Sequence, residues 1–465
     1  MKHILLKSAA VVAAVIWGSI EAQATWTYDS SANTLSNDTG YSFTVAEVTL
    51  TDPETKESVT GFEIKSKAPS TATGDLDFTN VATETGTGKN VISFGMAEFL
   101  GSATCTKVIA PDVMKLVEKT FYNQKTITEV KLSKKLGTFP KWSMAGMSAL
   151  TTLTPTEYPY ITEITGTGAF DQDVALEGEF SFPSLTKITG ANTFIRCGKI
   201  TCVSMPKIEE IGNSTFERCS SLVGDLQFDE LKSIGSSAFL LTSITSFKAP
   251  KVTSVGGYAF YQCESLKSVE LNEEVKTKYG DYAFNKCKVL ETLSPLPFWS
   301  NITNTYNSKN GEILLEGSQI INECPKLVGA VEMTGPAGLH TLTGSWLRNC
   351  NSITSVTIRT PWVTNVANYV CCNIAPSATV YWITEKAPQS IASSAFWSVS
   401  PTKGLVRIIV KHDIDGWTNL SQYAAVSATD EKSVDWPGKK TFGKLDQQVD
   451  VWLVEASQSF CIRIQ

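Results

Sequence analysis

A short unit recurs through the middle of the chain and limits what the chain can fold into. Four copies share Phe-x-x-Cys followed three residues later by Leu or Ile, and they begin at Phe194, Phe216, Phe260 and Phe284. An alternating run such as Val269-x-Leu271 follows the unit, which is typical of a strand with one buried face. One unit of this size cannot bury its own apolar residues, so successive units must stack on one another.

The units have a nearly constant length when they are aligned on that aromatic residue or its apolar replacement, here called the anchor. The anchors are Phe99, Phe121, Met144, Phe170, Phe194, Phe216, Phe239, Phe260, Phe284, Ile321 and Leu347, with weaker candidates at Val370 and Phe396. By subtraction, neighbouring anchors up to Leu347 are 21 to 26 residues apart, except for 37 between Phe284 and Ile321. Intervals of roughly 20 to 29 residues are typical of leucine-rich repeats. The long interval predicts an insertion near Pro295 to Gly311.

One complete copy of the unit resembles a known repeat family. The segment Ala259-Phe260-Tyr-Gln-Cys263-Glu-Ser-Leu266-Lys-Ser-Val269-Glu-Leu271 is similar to the BspA-type leucine-rich repeat of bacterial and protist surface proteins. The resemblance covers roughly residues 95 to 410 and implies adhesion or binding to host proteins. Two departures stand out, since Thr242 replaces the cysteine of one unit and Met144 replaces an aromatic anchor.

The repeat predicts the fold class. We expect an α/β-type repeat solenoid, strand-dominated: a curved right-handed leucine-rich repeat array with a parallel sheet on one face. Ser, Thr, Gly and β-branched residues crowd every unit and disfavour long helices, so we expect at most single helical turns around the Phe-x-x-Cys segments.

The first residues have the features of a secretory signal peptide. Lys2 and Lys7 form a basic start, residues 9–17 are apolar, and Ala22-Gln-Ala24 is a small-x-small cleavage signal. The apolar stretch is shorter than the roughly 20 residues that span a bilayer, so we expect cleavage and no transmembrane segment afterwards. The predicted divisions are a signal peptide over 1–24, a β-rich N-terminal cap over 25–94, the solenoid over 95–375, degenerate last repeats with a C-terminal cap over 376–445, and a terminal strand hairpin over 446–465.

The charge balance argues against a nucleic-acid partner. Removing residues 1–24 takes away Lys2, Lys7 and Glu21, so the formal net charge changes from -6 to -7. A mildly acidic surface without a basic run does not attract a polyanion.

The cysteines follow the repeat. Of the 11 in the chain, six lie three residues after an anchor: Cys197, Cys219, Cys263, Cys287, Cys324 and Cys350. A position shared by so many units is a packing position, so we interpret these residues as buried thiols. Disulfides between neighbouring units stay open as an alternative, because strands about 5 Å apart bring equivalent residues within bonding range.

Catalytic residue patterns are missing from the sequence. Of the three histidines, His3 leaves with the signal peptide, and His340 and His412 lie in different repeats without a nucleophile motif. No cofactor motif, metal-ligand spacing or phosphate-binding loop is complete. The chain is therefore predicted not to be an enzyme. A polysaccharide-active β-helix enzyme stays as the less favoured alternative, because its two carboxylates need no fixed spacing in sequence.

Two sets of residues are candidates for binding. Residues that alternate with the buried strand positions point outward, and the polar ones selected as a binding face are Glu129, Lys131, Asp225, Gln227, Lys248 and Glu270. The plainer interpretation is a solvated strand face. Near the C-terminus, Trp397 and Trp417 are alternative glycan-binding residues, although the favoured interpretation is that the tryptophans there plug the end of the array. The predicted function is an exported, non-catalytic binding or adhesion protein, secreted or at the cell surface, for extracellular protein or glycan ligands.

Overall fold

The structure is a computed structural model. It describes residues 25–272, 277–294, 313–315, 319–334, 339–342, 345, 347–359, 363, 365–376, 378–382, 387–392, 395–396, 406–410, 423–425, 439–445 and 449–454. The predicted signal peptide, residues 1–24, lies outside this part of the chain. No helix among the described residues is long and apolar enough to cross a membrane.

Strands make up nearly all of the regular secondary structure. The strands are Trp26–Asp29 (β1), Thr34–Asn37 (β2), Ser42–Thr51 (β3), Ser58–Ile64 (β4), Leu76–Asp77 (β5), Val91–Phe94 (β6), Lys107–Ile109 (β7), Glu129–Lys131 (β8), Thr152–Thr154 (β9), Glu163–Ile164 (β10), Glu177–Ser181 (β11), Lys187–Ile188 (β12), Lys199–Ser204 (β13), Glu210–Ile211 (β14), Val223–Gln227 (β15), Ser233–Ile234 (β16), Ser243–Lys248 (β17), Ser254–Val255 (β18), Ser268–Glu270 (β19), Lys278–Tyr279 (β20), Thr292–Ser294 (β21), Ile313–Leu315 (β22), Gly329–Thr334 (β23), Leu339–Leu342 (β24), Ile353–Arg359 (β25), Asn365–Val366 (β26), Thr379–Trp382 (β27), Ser390–Ile391 (β28), Val406–Val410 (β29), Tyr423–Ala425 (β30), Lys439–Leu445 (β31) and Val449–Val454 (β32). The helix among the described residues, α1, is a single turn over Val81–Glu84. The prediction of a strand-dominated solenoid is confirmed.

Most repeats contribute two strands, so the parallel strands form two columns. The longer strands give the sheets β5-β7-β8-β9, β11-β13, β15-β17-β19-β21 and β23-β25-β27-β29, the last continuing into β32, β31 and β30. The shorter strands form a six-stranded sheet, β10-β12-β14-β16-β18-β20, and a four-stranded sheet, β22-β24-β26-β28. The parallel pairing was predicted on one face, and the second column is an addition to that prediction.

A third ladder of hydrogen bonds joins the turns that carry the anchors. In one repeat the backbone N–H groups of Ser214, Phe216 and Arg218 each donate to the next repeat at 2.8 Å. Ser214 and Arg218 have φ values of 51° and 62°, in the left-handed region. Residues two before and two after most anchors share this conformation. The conformation is uncommon outside glycine, and here it aims alternate N–H groups at the neighbouring repeat.

The anchors stack along the interior of the solenoid. The ring centroids of Phe194 and Phe216 are 5.5 Å apart with planes 2° apart, and those of Phe239 and Phe260 are 5.3 Å apart with planes 6° apart. These rings are buried together with the leucine that follows each of them, for example Leu266. The stacked units therefore share one continuous apolar interior.

The N-terminal strands extend the same interior. Strands β1, β2, β3 and β4 pair antiparallel, and β6 then pairs parallel to β4. Trp26 stacks on Phe78 at 5.1 Å, and Phe94 contacts both Phe99 and Phe121. These rings are buried at the place where the repeats begin, so they cover the first anchors.

At the other end, β32 lies between two strands. It pairs parallel with β29 and antiparallel with β31. The sequence prediction placed β32 in a hairpin with residues 460–464, which lie outside the described part of the chain. The insertion predicted near residues 295–311 also lies outside it.

One weak anchor assignment is wrong by a single residue. In regular repeats the anchor N–H donates to the carbonyl of the residue just before the next anchor. Here the Leu347 N–H donates to the Val370 carbonyl, and the Cys371 N–H donates to the Ala395 carbonyl. The anchor is therefore Cys371 rather than Val370. Tyr369 then takes the left-handed position two residues earlier, with φ 65°.

Three glycines interrupt the longer-strand column. Gly178, Gly224 and Gly329 have φ values of 103°, 84° and 134°, and each lies at a register shift in its strand. Each of these strands is also the first of its sheet, since β11, β15 and β23 pair with the next strand but not with the preceding one. In these repeats the inward strand residue lies four positions after the leucine, as Phe180 does after Leu176. In the neighbouring repeats it lies three positions after, as Val203 does after Ile200. A glycine bulge accommodates the extra residue.

Leu266→Ala tests this register. Leu266 is fully buried, so truncation should lower the free energy of unfolding by about 2 to 5 kcal/mol. The neighbouring exposed residue supplies the control, because Lys267→Ala should change stability by no more than about 0.5 kcal/mol. Urea denaturation measures both. Equal losses for the two variants would show that the assigned register is wrong.

Candidate functional site

Four of the six predicted strand-face residues lie on one sheet. Asp225 and Gln227 are on β15, Lys248 is on β17 and Glu270 is on β19. The pairing aligns them in two rows across β15, β17, β19 and β21, which we call the strand face. One row is Asp225, Ser246, Ser268 and Thr292, and the other is Gln227, Lys248, Glu270 and Ser294. Neighbouring side chains in a row are about 5 Å apart because that is the spacing of paired strands.

The charges on the strand face are paired between strands. Lys248 Nζ lies 2.6 Å from Glu270 Oε1, with both side chains exposed. Asp225 Oδ1 accepts hydrogen bonds from the Ser246 and Thr245 hydroxyls at 2.7 and 2.8 Å. These bonds, chiefly the one from Ser246, lower the pKa of Asp225. The face is thus rich in hydroxyl groups, and the charges of Lys248 and Glu270 compensate each other.

The other two predicted residues lie on a different sheet. Glu129 and Lys131 are at the two ends of β8, which belongs to the sheet β5-β7-β8-β9. Glu129 faces Lys107 on the adjacent strand with 3.8 Å between the charged atoms, and Lys131 is exposed. The six residues therefore occupy equivalent strands of their repeats, but they lie on two separate sheets. Trp397 and Trp417 lie outside the described residues.

A second surface, absent from the sequence predictions, runs along the anchor turns. We call it the turn face and define it by the residues two before and one or two after each anchor. It carries three aromatic clusters with a nearby cation: Tyr122 and Trp142 with Lys119 and Lys141, Tyr258, Tyr261 and Tyr282 with Lys286, and Tyr369 with Arg348. Comparing the residue two before each anchor would have shown that aromatic side chains recur there.

The tyrosine cluster contains the most exposed aromatic residue of the described part of the turn face. The Tyr258 and Tyr282 rings are stacked with centroids 4.7 Å apart and planes 10° apart. Tyr258 is 41% exposed, and the Tyr261 ring lies 5.5 Å from it at 59°. Lys286 Nζ lies 5.5 Å from the Tyr261 ring centroid. Burial, followed by the neighbouring Tyr282 and Asp281, raises the pKa of Tyr258.

The repeated cysteines form a ladder of thiol hydrogen bonds inside the solenoid. Each Sγ lies within hydrogen-bonding distance of the anchor carbonyl of the preceding repeat, as in Cys219 to Phe194 at 3.0 Å and Cys263 to Phe239 at 3.1 Å. The same contact occurs at Cys197, Cys287, Cys324 and Cys350. Burial raises the pKa of Cys219 to about 12 and that of Cys263 to about 11. Ten cysteines in the described part of the chain are unpaired, which agrees with the thiol interpretation.

One repeat has a carboxyl group at the thiol position. Asp173 is fully buried and accepts a hydrogen bond from the Met147 N–H at 2.9 Å, while its second oxygen has no hydrogen-bond partner. Burial raises the pKa of Asp173 well above its usual value. A negative charge there would be poorly solvated, so the carboxyl is favoured in its neutral form.

The described residues provide no metal centre. No group of three or more His, Cys, Asp or Glu residues within them is arranged to hold a metal ion. A cleft of about 310 Å³ separates the N-terminal strands from the first repeats, and Asn90, Asp112, Ser133 and Lys134 are among its lining residues. The ion pair between Lys135 and Asp52, at 2.6 Å, also lines this cleft. The acidic and basic side chains that line the cleft compensate each other, so the cleft indicates no particular catalytic chemistry.

Comparison with known proteins identifies the repeats. Residues 78–201 and 232–310 match the family of the BspA type leucine rich repeat region, in 6 copies. The repeats within these two segments belong to that family. No curated protein matches the chain.

Several solved structures are similar. A leucine rich cell surface protein of Faecalibacterium prausnitzii A2-165 shares 17% identity over 82% of this chain and 96% of that chain, with a TM-score of 0.41. A leucine-rich repeat protein of Bacteroides ovatus shares 16% identity over 72% of this chain and 92% of that chain, with a TM-score of 0.36. The pneumococcal vaccine antigen PcpA shares 16% identity over 84% of this chain and 97% of that chain, with a TM-score of 0.36.

The thiol ladder predicts selective resistance to alkylation. In the folded protein the six cysteines of the ladder should react far more slowly with iodoacetamide than Cys202, which is partly exposed. Unfolding without a reductant should release all six, because thiols need exposure as well as ionisation to react. Mass spectrometry of the labelled peptides measures each site. Peptides that stay cross-linked until a reductant is added would refute the ladder.

Asp173 predicts an unusual pH dependence of stability. Because its folded-state pKa is raised, its favourable contribution is complete below about pH 4 and is lost as the pH rises through the folded pKa. Asp173→Asn should therefore stabilise the protein relative to wild type at pH 7, and not at low pH.

Asp225→Asn is the matched control with the opposite sign. The pKa of Asp225 is lowered in the folded protein, so its contribution is present at neutral pH and is lost as the pH falls through the folded pKa. This variant should be less stable than wild type at pH 7 and equal to it in acid. Urea titrations at several pH values measure both trends. If Asp173→Asn and Asp225→Asn shift stability in the same direction, the assignment of Asp173 is wrong.

Proposed function

We propose that the chain is an exported, non-catalytic binding protein that holds an extracellular protein or glycan ligand on its strand face. The single observation behind this proposal is the strand pairing that aligns outward polar residues in continuous rows across β15, β17, β19 and β21. A row of this kind presents many weak contacts at a fixed spacing. Such a surface suits a large ligand that covers several repeats.

The chemistry of the face supports binding rather than catalysis. Glu270 is paired with Lys248, and Asp225 is held ionised by neighbouring hydroxyls. A glycosidase needs one carboxyl with a raised pKa opposite an ionised one, and the pKa of Asp225 is lowered instead. The family of the repeats is also generally non-enzymatic.

Export and surface location are part of the same proposal. They are supported by the signal-peptide features of residues 1–24 and by the thiol ladder. Its thiols are buried with raised pKa values, so the oxidants of an oxidising compartment react with them only slowly. The F. prausnitzii protein with a similar structure is described as a cell surface protein.

Replacing Glu129, Lys131, Asp225, Lys248 and Glu270 together with alanine tests the strand face. Binding to an array of immobilised extracellular matrix proteins and glycans should fall by about tenfold or more, which is about 1.4 kcal/mol spread over several weak contacts. Each single change should have a much smaller effect. Thermal unfolding should stay close to wild type, since surface substitutions usually cost little.

The second column of strands provides a matched control. Replacing Glu163, Lys187, Glu209, Glu210 and Lys232 with alanine removes the same number of acids and lysines from the shorter-strand column. Its binding should equal that of wild type. Equal losses in the two variants would mean that net charge, not the strand face, governs capture. Hydrolysis of any glycan on the array by the purified chain would refute the non-catalytic part.

A further inference from the structure

Among the described residues, the turn face presents an exposed aromatic ring, that of Tyr258. The Tyr258 ring stacks on Tyr282, which belongs to the following repeat, so its opposite face is directed toward the preceding repeat. The equivalent residue there is Ser237, and in the repeat before it is Ser214. Both side chains are too small to cover a phenol ring. The 41% exposure of Tyr258 agrees with an open ring face.

The backbone conformation adds a second argument. Tyr258 and Tyr282 both have φ 58°, in the left-handed region. Six other repeats have Ser, Asn, Gln or Gly at this position and three have Lys119, Trp142 or Tyr369, and a bulky residue there carries a cost. Two successive tyrosines at a costly position, both directed outward, form a surface that the stability of the repeat does not require.

The surroundings of the ring decide which ligand fits. Ser237 and Ser214 occupy the equivalent position in the two preceding repeats, and Asp281 lies near Tyr258. An aromatic face attracts the polarised C–H groups of a ring, and neighbouring hydroxyls and carboxylates bind its hydroxyl groups. Asp281 disfavours an anionic ligand beside the ring. A proline-rich peptide would need a slot between two aromatic rings, and here the two rings are already in contact at 4.7 Å.

We propose that Tyr258, supported by Tyr282, is a binding site for a neutral oligosaccharide, with one pyranose ring lying on the open face of Tyr258. Tyr282 acts as a positioning residue, because its stacked ring fixes the orientation of the Tyr258 ring. This site is separate from the strand face, so it does not rest on the function proposed above.

The test uses the chain from residue 25 to residue 465 and a panel of neutral glucan, mannan and galactan oligosaccharides. Saturation-transfer NMR detects which oligosaccharides bind, and calorimetry gives the affinity. Tyr258→Ser should weaken binding by about tenfold or more, while Tyr258→Phe should retain it within about threefold because the ring is kept. Serine is the native residue at the equivalent position of the two preceding repeats, so this variant is expected to fold.

Tyr369→Ser is the matched control. Tyr369 occupies the same position in its repeat and is 40% exposed, but Arg348 lies over its ring at 5.2 Å. Its replacement should leave binding unchanged, and so should the five-residue strand-face variant. That second result separates this site from the strand face.

Several outcomes would overturn the proposal. The proposal fails if no neutral oligosaccharide binds to the wild-type protein, or if binding persists fully in Tyr258→Ser. Binding of only sulfated or uronic-acid glycans, lost in Lys286→Gln, would show that the site is cationic instead. Tyr258-dependent binding of a polyproline peptide without any sugar binding would assign the tyrosines to a protein partner.

Discussion

The face-to-face stacking of anchor rings from Phe194 to Phe284 matches the distance between paired strands, and the other contacts of these repeats depend on that distance. Phe194, Phe216, Phe239, Phe260 and Phe284 lie in one column with centroids 5.1 to 5.5 Å apart. At this spacing the strands of successive repeats are close enough to pair, and the turn N–H groups reach the next repeat's carbonyls. The thiol three residues after each anchor reaches the preceding anchor carbonyl at the same spacing. Packing, backbone pairing and thiol hydrogen bonds thus enforce one common register.

The repeat pattern predicted most of this architecture. Evenly spaced anchors, alternating strand positions and recurring cysteines identified the solenoid, the parallel pairing and the buried thiols, because each rests on periodicity in the sequence. The short-strand column was missed, since two-residue strands such as Glu210–Ile211 leave almost no alternating pattern. The anchor at Cys371 was misplaced because Val370 is the more usual apolar anchor, and only the hydrogen bonds between repeats separate the two assignments.

The candidate binding residues could be predicted only in part. Their outward direction follows from strand alternation, so Asp225 and Lys248 were found from the sequence. Their grouping into sheets was not predictable, because it depends on glycine bulges such as that at Gly224. The paired state of Lys248 with Glu270 depends on cross-strand register. The turn-face tyrosines were overlooked because Tyr258 precedes an anchor, a position that the alternating pattern does not cover.

The interruption after β21 has a consequence for how the protein unfolds. Between the repeats of Phe284 and Ile321 both strand columns end and restart, as β20 and β21 are the last strands of their sheets. Among the described residues, backbone hydrogen bonds cross this boundary from Phe284 to Ile320, from Lys286 to Asn322 and from Val328 to Glu291. Cooperativity in a solenoid is carried by nearest-neighbour interfaces, so a boundary at which the described strands do not pair couples the blocks on either side less tightly. The C-terminal block should therefore open as a separate foldon, while the longer N-terminal block stays intact.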